Sequence, residues 1–461
     1  MTLLFRGLTW RSLGLIVCET IGIVAAVYLA AYIRLGDSVP WTRDILSKAA
    51  LIALVTQVCL YFADLYDFRV ITDQRELFVR AVQALGATSL VLAGLYFWLG
   101  EQLMVGRGVF MLAAILVILF VFGWRIGFDW FAHRVGPRDR LLLVGTSESA
   151  VKLARELFDR TDLGVEIVGF IDPDPAKLGS PVINPGVIGT IDDIPAIVRK
   201  FNVDQVVVSL ADARGKLPMD KLLEMKLDGV SFEHLASVYE KYTGKIAVEN
   251  LRPSWLIFSD GFRKSQFLRV AKRTLDVTVS SVGIVLGAPL MLLVAAAVRL
   301  TSPGPVIYQQ ERVGLRGHVF KVAKFRSMRQ DAEKGTGAVW ASKADPRVTP
   351  VGRFLRRSRL DELPQLWNVL RGDMSFVGPR PERPEFVSSL TKEIPYYGQR
   401  HSVRPGLTGW AQVRYTYAAS VEDAMEKLQY DLFYIKNMSI ALDLFIIANT
   451  VKTVLMRRGG Q

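Results

Sequence analysis

Four apolar stretches, at about 13–33, 46–66, 79–99 and 108–128, dominate the first third of the chain. A helix of about 20 apolar residues crosses the hydrocarbon core of a bilayer. Backbone in lipid must satisfy its own hydrogen bonds, so the stretches predict a four-helix transmembrane bundle over residues 1–135 and exclude an ordinary soluble fold there. The first stretch, LGLIVCETIGIVAAVYLAAYI, holds Glu19 and lacks a small-residue cleavage site after a short core. It therefore reads as a retained span and not as a signal peptide. Glu19 is either functional or a polar packing position inside the bundle. Arg6 and Arg11 precede the first span, and Arg69, Arg75 and Arg80 lie between the second and third. Arg125, Arg134, Arg138 and Arg140 mark the end of the fourth, whereas the outer loops hold only Arg34, Arg43 and Arg107. This asymmetry and the even number of spans favour both ends inside the cell.

At 461 residues the chain has room for two or three domains. From Asp139 to about Ala236, strand-like and helix-like segments alternate: RLLLVGT, SESAVKLARELFDR, VEIVGFID, IDDIPAIVRKFN, DQVVVSL, PMDKLLEMKLDG and VSFEHLA. The alternation predicts a small doubly wound parallel sheet, a Rossmann-like α/β domain over 139–247. Its first turn is Gly145-Thr146-Ser147-Glu148-Ser149 and not G-x-G-x-x-G. A single glycine gives poor approach to a pyrophosphate, and Glu148 repels one. We therefore read the domain as regulatory or dimerising. Residues 248–263, around VENLRPSWLIFSDGF, read as a linker.

A fifth apolar run, KRTLDVTVSSVGIVLGAPLMLLVAAAVRL at 272–300, differs in kind. Proline lacks an N–H and obstructs the carbonyl four residues back, so a kink or break is expected at Ala288-Pro289. Lys272 and Arg273 precede the run and Arg299 follows it, which favours both ends on the cytoplasmic side. A re-entrant membrane helix fits these facts; a kinked full span is the alternative. Charge follows the same boundary. Of a formal net charge of +13, the whole excess lies from Lys264 onward, where 30 Lys and Arg face 16 Asp and Glu. Such a field suits phosphate-rich ligands or an anionic lipid surface. No nucleic-acid motif accompanies it, so nucleic acid is not expected as a partner. The two cysteines, Cys18 and Cys59, lie in apolar runs and build neither a disulfide framework nor a zinc site.

Beyond Thr301 the sequence turns basic and rich in turn formers. FKVAKFRSM, at 320–328, is strand-like and distributes Lys321, Lys324 and Arg326 over both faces. RRSRLDELPQLWN, at 356–368, sets Asp361 and Glu362 directly after a cluster of arginines. Adjacent acids before Pro364 are either the first turn of an ordinary helix or a chemical pair. Arg380 stands between prolines and Arg404 precedes Pro405-Gly406, which is how a rigid anion pocket would be built. The apolar C-terminal segment 440–458 is either an interfacial helix or a helix of the soluble core.

On the motifs KFRSM, RRSRLDELPQLWNVLRGDMSFVGPRP and VRPGLTGWAQV, the segment from about Lys272 to Arg458 resembles the bacterial sugar transferases, the polyprenyl-phosphate hexose-1-phosphate transferases. The upstream domains are similar to the long form of that family, found in initiators of exopolysaccharide and O-antigen synthesis. The resemblance implies a monotopic phosphoglycosyl transferase with a mixed α/β catalytic domain over 264–461, in the bacterial inner membrane with its soluble domains facing the cytoplasm. It implies transfer of a sugar-1-phosphate from a UDP-sugar to undecaprenyl phosphate, with release of UMP and a requirement for Mg²⁺. A homodimer is the expected assembly.

Carried onto this sequence, the family's catalytic dyad matches Asp361-Glu362, and its phosphate-binding lysine matches Lys324. Arg356, Arg380 and Arg404 match its arginines, and we add Arg326 to the phosphate-binding set. Asp361 is expected to attack phosphorus while Glu362 binds Mg²⁺ or orients Asp361; the alternative is that both serve the metal alone. The surrounding arginines are expected to keep both carboxylates ionised. Two departures stand out. The family's Ser-Pro at the helix break is Ala288-Pro289 here, and its Asn-Gly-Arg after GWAQV is replaced by RYTY at 414–417. The rival reading, a membrane-anchored nucleotide sensor or assembly scaffold, gives no reason for two carboxylates inside a cationic cluster.

Overall fold

A computed structural model of the chain describes residues 10–36, 43–63, 65–66, 74–99, 107–134, 139–159, 163–209, 219–248, 259, 261–329, 332, 345–415 and 420–455. The chain divides into two compact units, Met1–Leu235 and Ala236–Gln461. The linker expected at 248–263 lies largely outside the described residues.

The first unit opens with four helices, α1 (Trp10–Leu35), α2 (Arg43–Phe62), α3 (Gln74–Leu99) and α4 (Arg107–Arg134). Each contains a segment long and apolar enough to cross a membrane. They share one core, in which Ile23, Val27, Leu60, Leu92 and Val121 are fully buried, while Ile21, Leu90, Phe97 and Leu119 remain exposed. Apolar side chains on both the inner and the outer face are what a helix in lipid requires. Arg125 departs from its expected place at the end of the last span. It lies inside, with its Nε 2.7 Å from Glu19 Oε1. Tyr66 donates its hydroxyl to the other Glu19 oxygen at 2.6 Å, and Arg125 also donates to the Leu65 carbonyl.

The same unit continues as a five-stranded parallel sheet: β1 (Asp139–Val144), β2 (Val165–Ile171), β3 (Val187–Gly189), β4 (Gln205–Val208) and β5 (Ser231–His234), in the order 3-2-1-4-5. Between them run α5 (Glu148–Phe158), α6 (Ile194–Phe201) and α7 (Met219–Leu227). Ser147 caps α5, and Leu141 to Val144 are fully buried. Only β3 was not legible as a segment, since three residues carry no periodic signal. The helix that follows β5, α8 (Leu235–Thr243), belongs almost wholly to the second unit. Glu240 pairs with Lys436 at 2.6 Å and accepts from Asn437, and Trp410 donates to the Gly244 carbonyl.

The second unit is built around α9 (Gln266–Thr301). Its 36 residues form one helix that runs through Pro289. The helix is continuous across Ala288-Pro289, so of the kink or break expected there only a kink is compatible with it; proline removes one donor and crowds one carbonyl. The N-terminal part of α9 is rooted by its polar residues. Lys272 donates to Asp443 (2.7 Å), Tyr434 and the Val377 carbonyl. Arg273 donates to the carbonyls of Val369 and Leu370, and Asp276 accepts from Ser375 and the Phe376 amide. The C-terminal part buries Val294 and Val298 against Phe325 and Leu355.

The remaining elements form a small mixed α/β unit. β6 (Ile307–Val313) and β7 (Val319–Phe325) pair antiparallel, and α10 (Pro350–Ser358) and α11 (Gln365–Arg371) follow. β8 (Ser375–Val377) and β9 (Gly406–Thr408) pair parallel and flank α12 (Pro384–Glu393). α13 (Trp410–Arg414), α14 (Val421–Asn437) and α15 (Ile440–Leu455) close the core. In the last helix Asp443 and Ile446 are buried, as in a helix of the core, whereas Leu444, Val451 and Val454 are exposed.

Candidate active site

The acidic pair does not begin a helix. α10 ends at Ser358, and Arg359 adopts the left-handed conformation (φ 59°, ψ 13°), which turns the chain. Leu360–Glu362 then form one 3₁₀ turn before α11. The turn separates two neighbouring carboxylates into different surroundings, which a helix start exposed to solvent would not do.

Glu362 is saturated. Its Oε1 accepts from Lys324 Nζ at 3.0 Å and from Arg380 Nη2 at 2.9 Å, and Arg359 lies 3.6 Å from Oε2. Burial would raise its carboxyl, but Lys324, Arg380 and Arg359 together hold it well below the usual carboxylate range. Its charge in turn raises the Arg380 guanidinium above its ordinary value. Asp361 is 8 % exposed, and no hydrogen bond or ion pair engages its carboxylate among the described residues. Burial is the largest influence on it and pushes it up; Lys324 pulls the other way, and Glu362 adds to the rise. The cations depress Glu362 alone; at Asp361 burial outweighs them, because Glu362 takes their close contacts.

The structure brings Lys324, Asp361, Glu362 and Arg380 together. Arg356 approaches from α10, with Nε donating to Ser327 Oγ at 2.9 Å. Arg326 does not join them. It is buried and directed the opposite way, donating to the carbonyls of Ser302 and Pro303 and to the Ser302 hydroxyl, where it caps the end of α9. Lys324 and Arg326 both follow the alternation of β7, but Arg326 lies beyond the last strand residue, so periodicity misassigns it. Arg404 is exposed and makes no ion pair or hydrogen bond among the described residues.

Two contributors were not singled out in the sequence. Arg359 belongs to the arginine cluster before the dyad, but its contact with Glu362 comes from the left-handed turn. Arg400 is buried behind the site, donating to the Arg380 carbonyl (2.9 Å) and to Tyr397 (2.6 Å) and forming an ion pair with Asp431 (2.9 Å). Burial pushes Asp431 up to about 6, against Arg400 and Lys427. His401 is held down to about 4 by burial and Arg400, which suits packing and not acid–base work.

Among the described residues no cluster of three or more metal-ligating side chains occurs. A magnesium ion commonly keeps one or two protein carboxylates and takes its other oxygens from water and substrate phosphate. Asp361, with both oxygens uncommitted, fits that donor set; Glu362, occupied by cations, does not. At the carboxyl ends of the parallel strands in the first unit, Asp172 accepts from Thr146, the Asp174 amide and Lys177. Its carboxylate is already partnered.

Comparison with known proteins gives two family matches. Residues 267–457 match the family described as "Bacterial sugar transferase", and residues 61–223 match a "CoA-binding domain". A UDP-N-acetylgalactosamine-undecaprenyl-phosphate N-acetylgalactosaminephosphotransferase of Aeromonas hydrophila is 43 % identical over 50 % of this chain and 53 % of its own. A UDP-glucose:undecaprenyl-phosphate glucose-1-phosphate transferase of Xanthomonas campestris pv. campestris is 35 % identical over 68 % of this chain and 66 % of its own. An Escherichia coli (strain K12) protein of the same description is 34 % identical over 71 % and 70 %. The chain thus spans about half to two thirds of the length of the first two of these relatives.

Proposed function

Because the chain belongs to the bacterial sugar transferase family, we propose that it transfers a sugar-1-phosphate from a UDP-sugar to undecaprenyl phosphate, releasing UMP, as the first membrane step of an exopolysaccharide, O-antigen or capsule. The observation that carries this reading is the divided dyad. One carboxylate is neutralised by Lys324 and Arg380, and its neighbour is left uncommitted beside the same cations.

In the first step an Asp361 oxygen attacks the β-phosphorus of the donor. The bond from that phosphorus to the bridging oxygen breaks, and UMP leaves with the electron pair. In the second step an oxygen of the lipid phosphate attacks the acyl-phosphate, and the carboxylate of Asp361 is restored. Lys324 and Arg380, fixed by Glu362, stabilise the diphosphate charge without reorganising during transfer. Mg²⁺ would be held by Asp361 and would supply further neutralisation of the diphosphate. Arg356 and Arg404 contribute to the same anion field, the second from a solvent-facing loop.

We assign the catalytic unit to the cytoplasmic face of the inner membrane, with α9 entering the bilayer and returning and the four upstream helices crossing it. Both ends of α9 pack against one compact unit, which supports the re-entrant reading. At about 1.5 Å per residue a straight helix of this length would reach about 54 Å, beyond a hydrocarbon core of about 30 Å. We assign the α/β domain to regulation or dimerisation.

The test is incubation of the purified protein with a panel of labelled UDP-sugars, Mg²⁺ and undecaprenyl phosphate. Lipid-linked label with equimolar UMP is expected, and UMP release limited to one equivalent of enzyme when the lipid is omitted. Absence of label from every donor would sink the transferase reading; unlimited UMP release without lipid would sink the covalent step. Cysteines placed on both sides of Pro289 should be labelled from the same face of the membrane.

A further inference from the structure

Lys324 sits on β7, whose neighbour in the sheet is β6 alone. Its other edge is not left open. The carboxamide of Asn368, on α11, lies against it and makes two bonds. Asn368 Oδ1 accepts from the Ala323 amide at 3.0 Å, and Nδ2 donates to the Lys321 carbonyl at 2.8 Å. These flank Val322, as the N–H and C=O of a residue on an adjacent parallel strand would. The orientation of the carboxamide is unambiguous, since a backbone N–H can only donate and a carbonyl can only accept.

Asn368 is itself fixed. It is 3 % exposed, and its own carbonyl accepts from the amides of Gly372, Asp373 and Met374, where the left-handed Gly372 (φ 94°) ends α11. Val322, Val369 and Met374 form a small buried cluster beside it. One side chain therefore ties the helix that follows Asp361-Glu362 to the strand that carries Lys324. Only asparagine fits both tasks. Aspartate lacks the donor, and glutamine adds a methylene that a close-packed contact has no room for.

We infer that Asn368 is a positioning residue for the transfer reaction: its carboxamide takes the place of a missing third strand and sets the register of β7, and so the reach of Lys324 to Glu362 and to the donor phosphates. The inference rests on the transferase reading above for its effect on rate, but the clamp itself is a statement about β7.

The test uses the full chain in detergent or nanodiscs. Wild type, Asn368→Ala and Asn368→Asp are compared by thermal melting, by amide hydrogen exchange across residues 319–325, and by kcat and KM for a donor that the wild type uses. Asn368→Ala should exchange faster at Ala323 and lose ~10–100-fold in kcat/KM, mostly in kcat, as a misplaced catalytic group does. Asn368→Asp keeps the acceptor and loses the donor, so it should fall between. In a Lys324→Arg background the Asn368→Ala loss should largely vanish, because the two act through one group. Fully additive losses, kcat/KM within twofold of wild type, or unchanged exchange at Ala323 would overturn the inference. If Asn368→Ala does not fold, Asn368→Ser, whose shorter side chain cannot make both bonds, carries the same readouts. If the wild type uses no donor, the transferase reading fails by itself, and exchange at Ala323 still decides whether the clamp exists.

Discussion

Glu19 and Glu362 are both glutamates buried beside arginine, and the two regions balance them in opposite ways. In the apolar helices Glu19 meets one cation, Arg125, at 0 % and 3 % exposure; Tyr66 donates to Glu19, and Arg125 donates to the Leu65 carbonyl. The charges balance one against one. In the second unit Glu362 meets Lys324, Arg380 and Arg359. One negative charge cannot balance three positive ones, and Asp361 beside it makes no ion pair among the described residues. A closed pair has nothing to offer a ligand; an excess of fixed cations beside a free carboxylate is poised for an anion and a metal. Burial of charge is thus common to both regions, and the residual imbalance separates structure from chemistry.

The sharpest way to break this contrast is at Asp361. Asp361→Asn keeps the shape and removes the nucleophile, so turnover should fall by ~10⁴-fold or more while melting changes little. Near-normal turnover, measured as UMP release, would make the free carboxylate irrelevant. Glu362→Gln should be next, at ~10³-fold in kcat/KM, because Lys324 and Arg380 lose the group that fixes them. Donor binding, followed by titration, should survive, since the cations remain; if binding is lost and kcat is kept, Glu362 contacts substrate and does not orient cations.

The four spans and the strand–helix alternation were legible because their signals are periodic and local. The dyad and Arg380 were legible because they lie in long motifs. The rest depends on contacts between distant segments. Arg326 looked like a phosphate ligand by its spacing from Lys324, but its guanidinium is committed to Ser302 and Pro303. Asn368 and Arg400 act on backbone carbonyls and amides of other segments, and a carbonyl leaves no mark in sequence. Pro289 gives a strong local signal for a kink or break, and the helix continues through it.

The closed pair gives a third test. Glu19→Gln leaves Arg125 buried and unpaired and should cost about 3 kcal/mol of stability, read by denaturation in detergent, with turnover per folded molecule within about twofold of wild type. Glu19→Gln with Arg125→Met should recover most of the loss, since it leaves no charge at either position. A large loss of turnover with unchanged stability would move Glu19 into the same functional class as Glu362.

The smallest effect concerns pH and separates the two members of the dyad. Glu362 has its carboxyl depressed, so its ion pairs stabilise the fold above about pH 4 and that contribution is lost as pH falls toward its folded value. Asp361 is raised, so the folded state favours its protonated form, and ionising it costs stability as pH rises above about 4. The nucleophile must be ionised, so the acid limb of kcat/KM should follow Asp361 and lie above the ordinary aspartate range. Glu362→Gln removes a charge that raises Asp361 and releases Lys324 and Arg380 toward it. Both changes lower the Asp361 value, so the acid limb of the residual activity should move to lower pH. A limb that moves upward would mean that Glu362, and not Asp361, titrates with activity, and the roles within the dyad would be exchanged.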